Sequence, residues 1–306
     1  MKKATSLSLT ISILLLSLSV VAEGSVTEES VEEFETRAGM NVPRYNHTST
    51  LLPGDHTVMG PFESLVYVTG GTSDGTSSLD SSEVYSGGKW EIIASMNEPR
   101  MRHGAVSIGY ELMVTGGFIG AGHPSLIKHF NGSGNFSLST CEIYDSNSNE
   151  WNYVAPMNTG RFWHGILTLD DNKVLVIGGS NTTHGVLSSC EIYDSRQDSW
   201  EDFPSLPIPL VRFAYGMDSN GNIIVAGGHD GIEKEALDRV FVFKDGAEAW
   251  EEVSPMIHPR GYPGYCFIDG DKFVVSGGFS SPGKPDRSDA EVYDLTARLA
   301  SKREIG

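Results

Sequence analysis

The chain repeats short phrases about fifty residues apart, and this repetition limits the folds that it can adopt. The segments CEIYDSNSNEW (Cys141–Trp151) and CEIYDSRQDSW (Cys190–Trp200) lie 49 residues apart. A Gly-Gly pair that follows an apolar, β-branched run occurs five times, ending at Gly71, Gly117, Gly179, Gly228 and Gly278. A period of this length, built from short apolar runs and glycine turns, indicates a repeat architecture.

Each repeat has the composition of a small β-sheet. Apolar runs of four to six residues predict strands, and the Gly-Gly pair allows positive φ and close approach of a neighbouring side chain. Four of the five units then reach a tryptophan, at Trp90, Trp151, Trp200 and Trp250. One four-stranded sheet cannot bury both of its faces, whereas copies stacked around an axis can. The sequence therefore predicts an all-β propeller.

These phrases resemble the kelch repeat, whose unit runs Pro-Arg…Gly-Gly…Glu-x-Tyr-Asp…Trp and forms one blade of a β-propeller. The resemblance covers about residues 33–294 and implies an all-β kelch β-propeller with four-stranded blades. The implied units are 43–98, 99–158, 159–207, 208–257 and 258–294. Because kelch propellers serve many unrelated tasks, the resemblance predicts the fold rather than an activity.

The N-terminal segment supplies the strand that the last unit lacks. Phe34 precedes Met40 by six residues, as Trp90 precedes Met96, and the fifth unit has no tryptophan of its own. We therefore predict five blades, with residues 33–42 closing the sheet of residues 258–294. A shortened six-blade arrangement is the alternative.

Residues 1–22 have the pattern of a secretory signal peptide. Lys2 and Lys3 precede the apolar run ISILLLSLSVVA, and Val20 and Ala22 fit a cleavage site. The run is shorter than the ~20 residues that a membrane span needs, and an uncleaved anchor is the alternative. Cleavage would leave an acidic segment, 23–32, the propeller and a tail, 295–306. We expect a secreted, extracellular protein without a membrane span after cleavage.

Charge and glycosylation motifs narrow the classes of partner. The chain carries 40 acidic and 22 basic residues, a formal net charge of −18. Nucleic acids and anionic lipids are therefore disfavoured as partners. Asn-x-Ser/Thr sequons, the expected glycan acceptors of a secreted chain, begin at Asn46, Asn131, Asn135 and Asn181.

The resemblance also implies a ligand-binding rim. In peptide-binding kelch propellers, the positions just before the first strand and just after Gly-Gly face the ligand around the central channel. The first set here contains Asn46, Arg102, Trp163, Ala214 and Tyr262. The residues carried over as ligand-binding are Arg102, Trp163, Tyr262, Phe118, Phe279, Thr72, Ser180 and His229. Aromatic area and a guanidinium group suit a protein or a glycan, and the alternative is that these residues only close the propeller mouth.

Other repeated polar residues are interpreted as structural. One arginine per unit is expected to pair with the repeated Glu or with backbone carbonyls, namely Arg44, Arg100, Arg161, Arg212 and Arg260. His47, His103 and His164 share one repeated position. Metal ligands must converge within a few ångströms, so repetition around an axis argues against a metal site. We predict no catalytic residues and no cofactor.

The two cysteines of the repeated phrase are not expected to form a disulfide. Cys141 and Cys190 occupy the same position in adjacent blades, and sheets pack too far apart for a disulfide between them.

We predict a secreted interaction module that binds an extracellular protein or glycan on the loop face. The alternative is a secreted carbohydrate-active enzyme of the oxidase or epimerase type that uses the same face.

Overall fold

A computed structural model describes residues 38–52, 64–120, 136–231, 235–280 and 286–295. Every regular element in these ranges is a β-strand, and the strands form five antiparallel sheets and one short hairpin. The prediction of an all-β, five-bladed propeller is confirmed. The proposed signal peptide, residues 33–37 of the proposed closing strand, Asn131 and Asn135 lie outside the described residues. No helix in these ranges has the length and apolar character needed to cross a membrane.

The blades follow one another in chain order. Blade 1 contains β1 (Thr48–Leu52), β2 (Leu65–Thr69), β3 (Ser82–Ser86) and β4 (Lys89–Ile93), and blade 2 contains β5 (Gly104–Ile108), β6 (Glu111–Thr115), β7 (Cys141–Asp145) and β8 (Glu150–Val154). Blade 3 contains β9 (Gly165–Asp170), β10 (Lys173–Ile177), β13 (Cys190–Asp194) and β14 (Ser199–Phe203), with the hairpin β11 (Ser180–Asn181) and β12 (Gly185–Val186) after β10. Blade 4 contains β15 (Ala214–Met217), β16 (Ile223–Ala226), β17 (Val240–Phe243) and β18 (Glu251–Val253). Blade 5 contains, among the described residues, β19 (Gly264–Ile268), β20 (Lys272–Ser276) and β21 (Ala290–Asp294).

The first strand of each blade lies nearest the axis. The first strands contact one another in the order β1–β5, β5–β9, β9–β15 and β15–β19. Within a blade each strand pairs with the next in an antiparallel register, for example Thr48 opposite Thr69 and Gly165 opposite Ile177. The starts of the first strands and the Gly-Gly pairs after the second strands therefore meet at one face, around the channel.

The hydrophobic core is divided among the spaces between blades. Leu112 and Val114 of blade 2 pack with Tyr67 of blade 1, and the other three clusters follow the same rule. Three of the four repeated tryptophans, Trp151, Trp200 and Trp250, belong to these clusters. The indole Nε1 of Trp151 donates to the carbonyl oxygen of Ala94 in the preceding blade at 2.9 Å. The repeated phrases thus supply the surface that each blade buries against its neighbour.

A buried arginine fastens the strands of four blades. Arg100 donates to the carbonyl oxygens of Gly116 and Thr140, at 2.6 and 3.1 Å, and to Glu142 Oε1 at 2.6 Å. The equivalent ion pairs are Arg44–Glu83, Arg161–Glu191 and Arg260–Glu291, at 2.8, 2.5 and 2.9 Å. The structural interpretation of Arg44, Arg100, Arg161 and Arg260 is confirmed.

The carboxylate of each pair also joins neighbouring blades. Backbone N–H groups in the connection from the preceding blade donate to it: Asn97 to Glu142 at 2.7 Å and Asn158 to Glu191 at 2.6 Å. The buried charge is therefore met by both a guanidinium group and oriented dipoles, as a buried ion requires.

Blade 4 replaces this polar assembly with an apolar one, and the prediction that Arg212 occupies the position of the paired arginine is wrong. The backbone of Leu210 donates to Leu187 and accepts from Gly179, as the backbone of Arg161 donates to Leu138 and accepts from Gly117. Leu210 thus fills the arginine position. Phe241 fills the glutamate position, and Leu210 and Phe241 belong to one buried cluster. Pro207, which has no N–H group, stands where the other connections donate to the carboxylate.

Two of the three repeated histidines, His103 and His164, are buried against threonines of the first and second strands. Nε2 of His103 lies 2.9 Å from the hydroxyls of Thr48 and Thr69, and Nε2 of His164 lies 2.9 Å from that of Thr115. Burial lowers the pKa of His164 to about 3 and that of His47 to about 4. These contacts agree with the structural interpretation of the repeated histidines.

Cys141 and Cys190 do not form a disulfide with each other, as predicted. Cys141 and Cys190 are both buried, and neither is in a disulfide. Burial raises the pKa of Cys141 to about 12 and that of Cys190 to about 11. Both side chains therefore act as small apolar groups in the core.

The contacts of Asn41 agree with the predicted closure of blade 5. Its N–H group donates to Glu83 Oε2 at 2.6 Å, and its Nδ2 donates to the carbonyl oxygen of Trp90 at 3.2 Å. Asn97 makes the same contacts with Glu142 and Trp151 after the fourth strand of blade 1. Asn41 therefore stands where the chain enters blade 1. The predicted closing strand, residues 33–42, is wrong for residues 38–42, which form no strand because the N–H groups of Asn41 and Val42 donate to Glu83 of blade 1. Its part over residues 33–37 stays a prediction.

Deleting residues 23–37 is expected to lower the melting temperature, because β21 would become an edge strand with unpaired backbone groups. We expect a decrease of at least about 5 °C, since ~1 kcal/mol corresponds to 2–4 °C in a domain of this size. Deletion of residues 23–32 alone is the control and should leave the melting temperature unchanged. Equal melting temperatures for all three proteins would contradict the closure.

Candidate functional site

One residue from each blade forms a ring around the channel, which we call the inner ring. Its members are Asn46, Arg102, Trp163, Arg212 and Tyr262, and each has a positive φ, between 52 and 61°. The N–H group of Arg102 donates to the carbonyl oxygen of Asn46, that of Trp163 to Arg102, and that of Tyr262 to Arg212, at 2.9 to 3.0 Å. The left-handed conformation is uncommon for residues other than glycine, so its recurrence in five blades marks one position of the repeat.

Arginine and aromatic side chains alternate along the inner ring. The guanidinium carbon of Arg102 lies 4.1 Å from the ring centroid of Trp163, and that of Arg212 lies 3.7 Å from the Trp163 ring and 4.5 Å from the Tyr262 ring. Trp163 and Tyr262 also meet edge to face at 6.1 Å. Cation–π contacts of this kind hold planar groups in a fixed orientation.

The inner ring concentrates positive charge in an acidic protein. Burial is the main cause that lowers the pKa values of Arg102 and Arg212. Both groups stay charged at neutral pH because an arginine side chain does not lose its proton in proteins. Arg102 forms no ion pair with any residue that the structure describes. An anionic ligand could pair with this charge.

The residues after the Gly-Gly pairs differ in their accessibility. Thr72, Ser180 and His229 are almost fully buried, and each forms a backbone bridge to the segment that precedes the first strand. Phe118 and Phe279 are partly exposed. The Arg102 guanidinium carbon lies 5.9 Å from the Phe118 ring, and Phe279 stacks with Tyr262 at 5.7 Å.

The structure thus brings five of the eight predicted binding residues together at an accessible surface. These are Arg102, Trp163, Tyr262, Phe118 and Phe279. The hydroxyl of Thr72 donates to Asp74 and that of Ser180 to the carbonyl oxygen of Gly185, so both are engaged within their own turns. Ligand binding by the set stays a prediction.

Sequence reasoning missed Arg212 and included Ala214 in its place. Ala214 begins β15 and is buried. The sequence spacing identifies the paired arginine correctly. In four blades this arginine stands four residues after the preceding methionine, as Arg161 follows Met157. Four residues after Leu206 stands Leu210, which places Arg212 on the inner ring.

One group of three side chains in the described ranges has the composition of a metal site, His258, Asp289 and Glu291 in blade 5. Arg260 already pairs with both carboxylates, Asp289 at 2.7 Å and Glu291 at 2.9 Å. The cluster is therefore explained as the blade 5 version of the buried ion pair.

The Kelch motif family model matches residues 99–158, 168–207 and 219–257. Kelch-like protein 25 of Homo sapiens is 29% identical over 234 residues, which cover 76% of this chain and 38% of that protein. Kelch-like protein 36 of Rattus norvegicus is 26% identical over 234 residues, covering 74% and 36%. The chain spans about a third of the length of these relatives.

Two solved structures have the same fold. The first, "Structure of YjhT", has a TM-score of 0.68 at 15% identity and covers 90% of this chain and 89% of that one. A fungal alcohol oxidase in complex with copper has a TM-score of 0.63 at 18% identity, covering 85% and 53%. At these identities the likeness concerns the fold. Together with the repeats, the strand topology and the Kelch motif match, it supports a kelch-repeat β-propeller fold for this chain.

Proposed function

We propose that the chain is a secreted interaction module whose inner ring binds an anionic group of an extracellular protein. Kelch propellers are typically protein interaction modules. The observation that carries the proposal is the placement of Arg102 and Arg212 on the Trp163 ring, at 4.1 and 3.7 Å. Secretion is supported by the pattern of residues 1–22.

The chemistry of the inner ring favours a carboxylate or a similar planar anion. The guanidinium group of Arg102, stacked on the Trp163 ring, keeps its N–H edge for paired hydrogen bonds to a carboxylate. Partial burial weakens the screening of that interaction by water. Because the chain as a whole is acidic, an acidic partner would be repelled elsewhere and attracted only here.

The inner ring also has the composition of a protein-binding hot spot. Tryptophan, tyrosine and arginine are the residues most enriched at such sites, and Trp163, Tyr262 and Arg102 lie together with Phe118 and Phe279 at their border. No described arrangement favours the oxidase or epimerase alternative over binding. The copper chemistry of the alcohol oxidase belongs to that protein.

Substitutions Arg102→Ala, Trp163→Ala and Arg212→Ala are each expected to weaken partner binding at least ~30-fold, since a hot-spot truncation costs about 2 kcal/mol or more. The matched control is Arg239→Ala, which removes an exposed arginine that pairs with Glu252. Binding is measured by capture from extracellular fluid and on a glycan array, with circular dichroism to verify folding.

Loss of capture in the three ring variants, with Arg239→Ala unaffected, is the predicted outcome. Binding confined to the glycan array would assign the partner to the glycans instead. Folded ring variants that still bind with unchanged affinity would contradict the assignment of the site.

A further inference from the structure

The two sequons in the described residues present their acceptor nitrogens differently. Nδ2 of Asn181 donates to the carbonyl oxygen of Gly160 at 2.6 Å, and Oδ1 accepts from the N–H groups of Thr183 and His184 at 2.8 and 3.1 Å. Asn181 is 3% exposed. An N-linked glycan is attached at Nδ2, which is buried against Gly160, so a glycan on Asn181 would displace the connection at Gly160.

Asn46 is engaged only through its backbone. Its carbonyl oxygen accepts from the N–H group of Arg102 at 2.9 Å. Its side chain is partly exposed, and the structure shows no hydrogen bond from it to any described residue. Its φ of 56° belongs to the left-handed region that asparagine tolerates better than most residues. The folded protein can therefore accommodate a glycan on Asn46.

The hydroxyl of the Asn46 sequon indicates when the modification must occur. Thr48 Oγ1, on β1, lies 2.7 Å from Thr69 Oγ1 on β2 and 2.9 Å from His103 Nε2. A transferase that recognises the sequon through this hydroxyl can bind the segment only while β1 is still unpaired. Modification during export, ahead of folding, meets this condition.

We propose that Asn46 carries an N-linked glycan and that this glycan covers the Arg102 side of the inner ring. The inference rests on the proposed secretion. In the transfer step, Nδ2 of Asn46 loses one proton and forms a bond to the anomeric carbon of a lipid-linked oligosaccharide, while the lipid pyrophosphate leaves. Asn46 and Arg102 are neighbours on the ring, so the first sugars stand beside the guanidinium group that we assign to anion binding. Glycosylated and unglycosylated molecules then differ in their access to an acidic partner.

Glycopeptide mapping of folded protein exported by a eukaryotic host tests the modification. We expect Asn46 to be occupied and Asn181 to be unoccupied. Asn46→Gly, which suits a positive φ, should lose the mass of one glycan, whereas Thr183→Val, which removes the other sequon and keeps the Asn181 amide, should lose none. Occupied Asn181, or unoccupied Asn46, would overturn the proposal. Expression behind residues 1–22 and behind a signal sequence of the host keeps a failure of export distinct from a failure of glycosylation.

Arginine-selective labelling with phenylglyoxal tests the covering of Arg102. We expect Arg102 to react at least ~3-fold more slowly in the glycosylated protein than in Asn46→Gly, with Arg239 reacting equally in both. Equal labelling of Arg102 would show that the glycan points away from the inner ring and would overturn that part of the proposal. Neither readout requires the partner, so both are independent of the binding tests above.

Discussion

The free energy of unfolding is expected to fall steeply as the pH is lowered from 6.5 towards 4. His47, His103 and His164 have lowered pKa values in the folded chain, about 4 for His47 and about 3 for His164, because they are buried. The arginines of the ion pairs, Arg44, Arg100 and Arg161, disfavour their protonation further.

The direction follows from proton uptake. Histidine in the unfolded chain has a pKa of 6.5, so below this pH the unfolded chain binds protons that the folded chain does not bind. The free energy of unfolding therefore decreases with falling pH until the folded pKa of each histidine is reached. Each histidine contributes about 1.4 kcal/mol per pH unit in this window. Above pH 6.5 the contribution is absent.

Urea unfolding at pH 7.5, 6.0 and 5.0 measures this slope. His164→Gln, which keeps a hydrogen-bonding group near Thr115 and does not titrate, should reduce the slope by about 1.4 kcal/mol per pH unit. His258→Gln is the control, since His258 is partly exposed in blade 5. Identical slopes in wild type and His164→Gln would show that the histidine does not govern the acid response.

Arg161→Leu is expected to lower the free energy of unfolding by about 3–5 kcal/mol, because it leaves the Glu191 carboxylate buried without its cation. Blade 4 shows how the chain avoids this cost. It pairs Leu210 with Phe241 in the same two positions and has Pro207 in place of an N–H donor. A buried ion pair can be replaced by well-packed apolar residues when both partners change together.

The triple substitution Asn158→Pro, Arg161→Leu, Glu191→Phe transfers the blade 4 solution to blade 3. We expect it to recover more than half of the stability that Arg161→Leu loses, as measured by urea unfolding at pH 7.5. A triple variant that is no more stable than the single variant would contradict the equivalence of the two assemblies.

The sequence predicted the features that repeat with every blade. The five Gly-Gly pairs indicated five blades, because each marks the same point of a unit that buries itself against its neighbour. The repeated arginine and glutamate indicated the ion pairs. Where blade 4 departs from the pattern, alignment by residue type gave the wrong position. It aligned Arg212 with the paired arginines, although the sequence separation from Leu206 places Leu210 there.

The site was harder to predict than the fold because it depends on the direction of single side chains. Thr72, Ser180 and His229 hold the predicted place along the chain, but their side chains are buried. Phe118 and Phe279 make the same backbone bridges and stay partly exposed, so the position in the repeat does not decide the exposure of the side chain. The stacking of Arg102 and Arg212 on Trp163 joins residues from three blades. The spacing of residues within one repeat does not predict that contact.

Collisional quenching of Trp163 fluorescence tests the central claim, that the inner ring is an accessible cationic site, most directly. Trp163→Phe is measured in parallel, and the difference between the two proteins isolates Trp163 from the other four tryptophans. A chain with a net charge of −18 should attract caesium and repel iodide over most of its surface. We predict the opposite at Trp163, where iodide should quench at least ~2-fold more efficiently than caesium. In the double variant Arg102→Ala, Arg212→Ala, caesium should be the more efficient quencher. Equal quenching by the two ions, or stronger quenching by caesium in the wild type, would contradict the account.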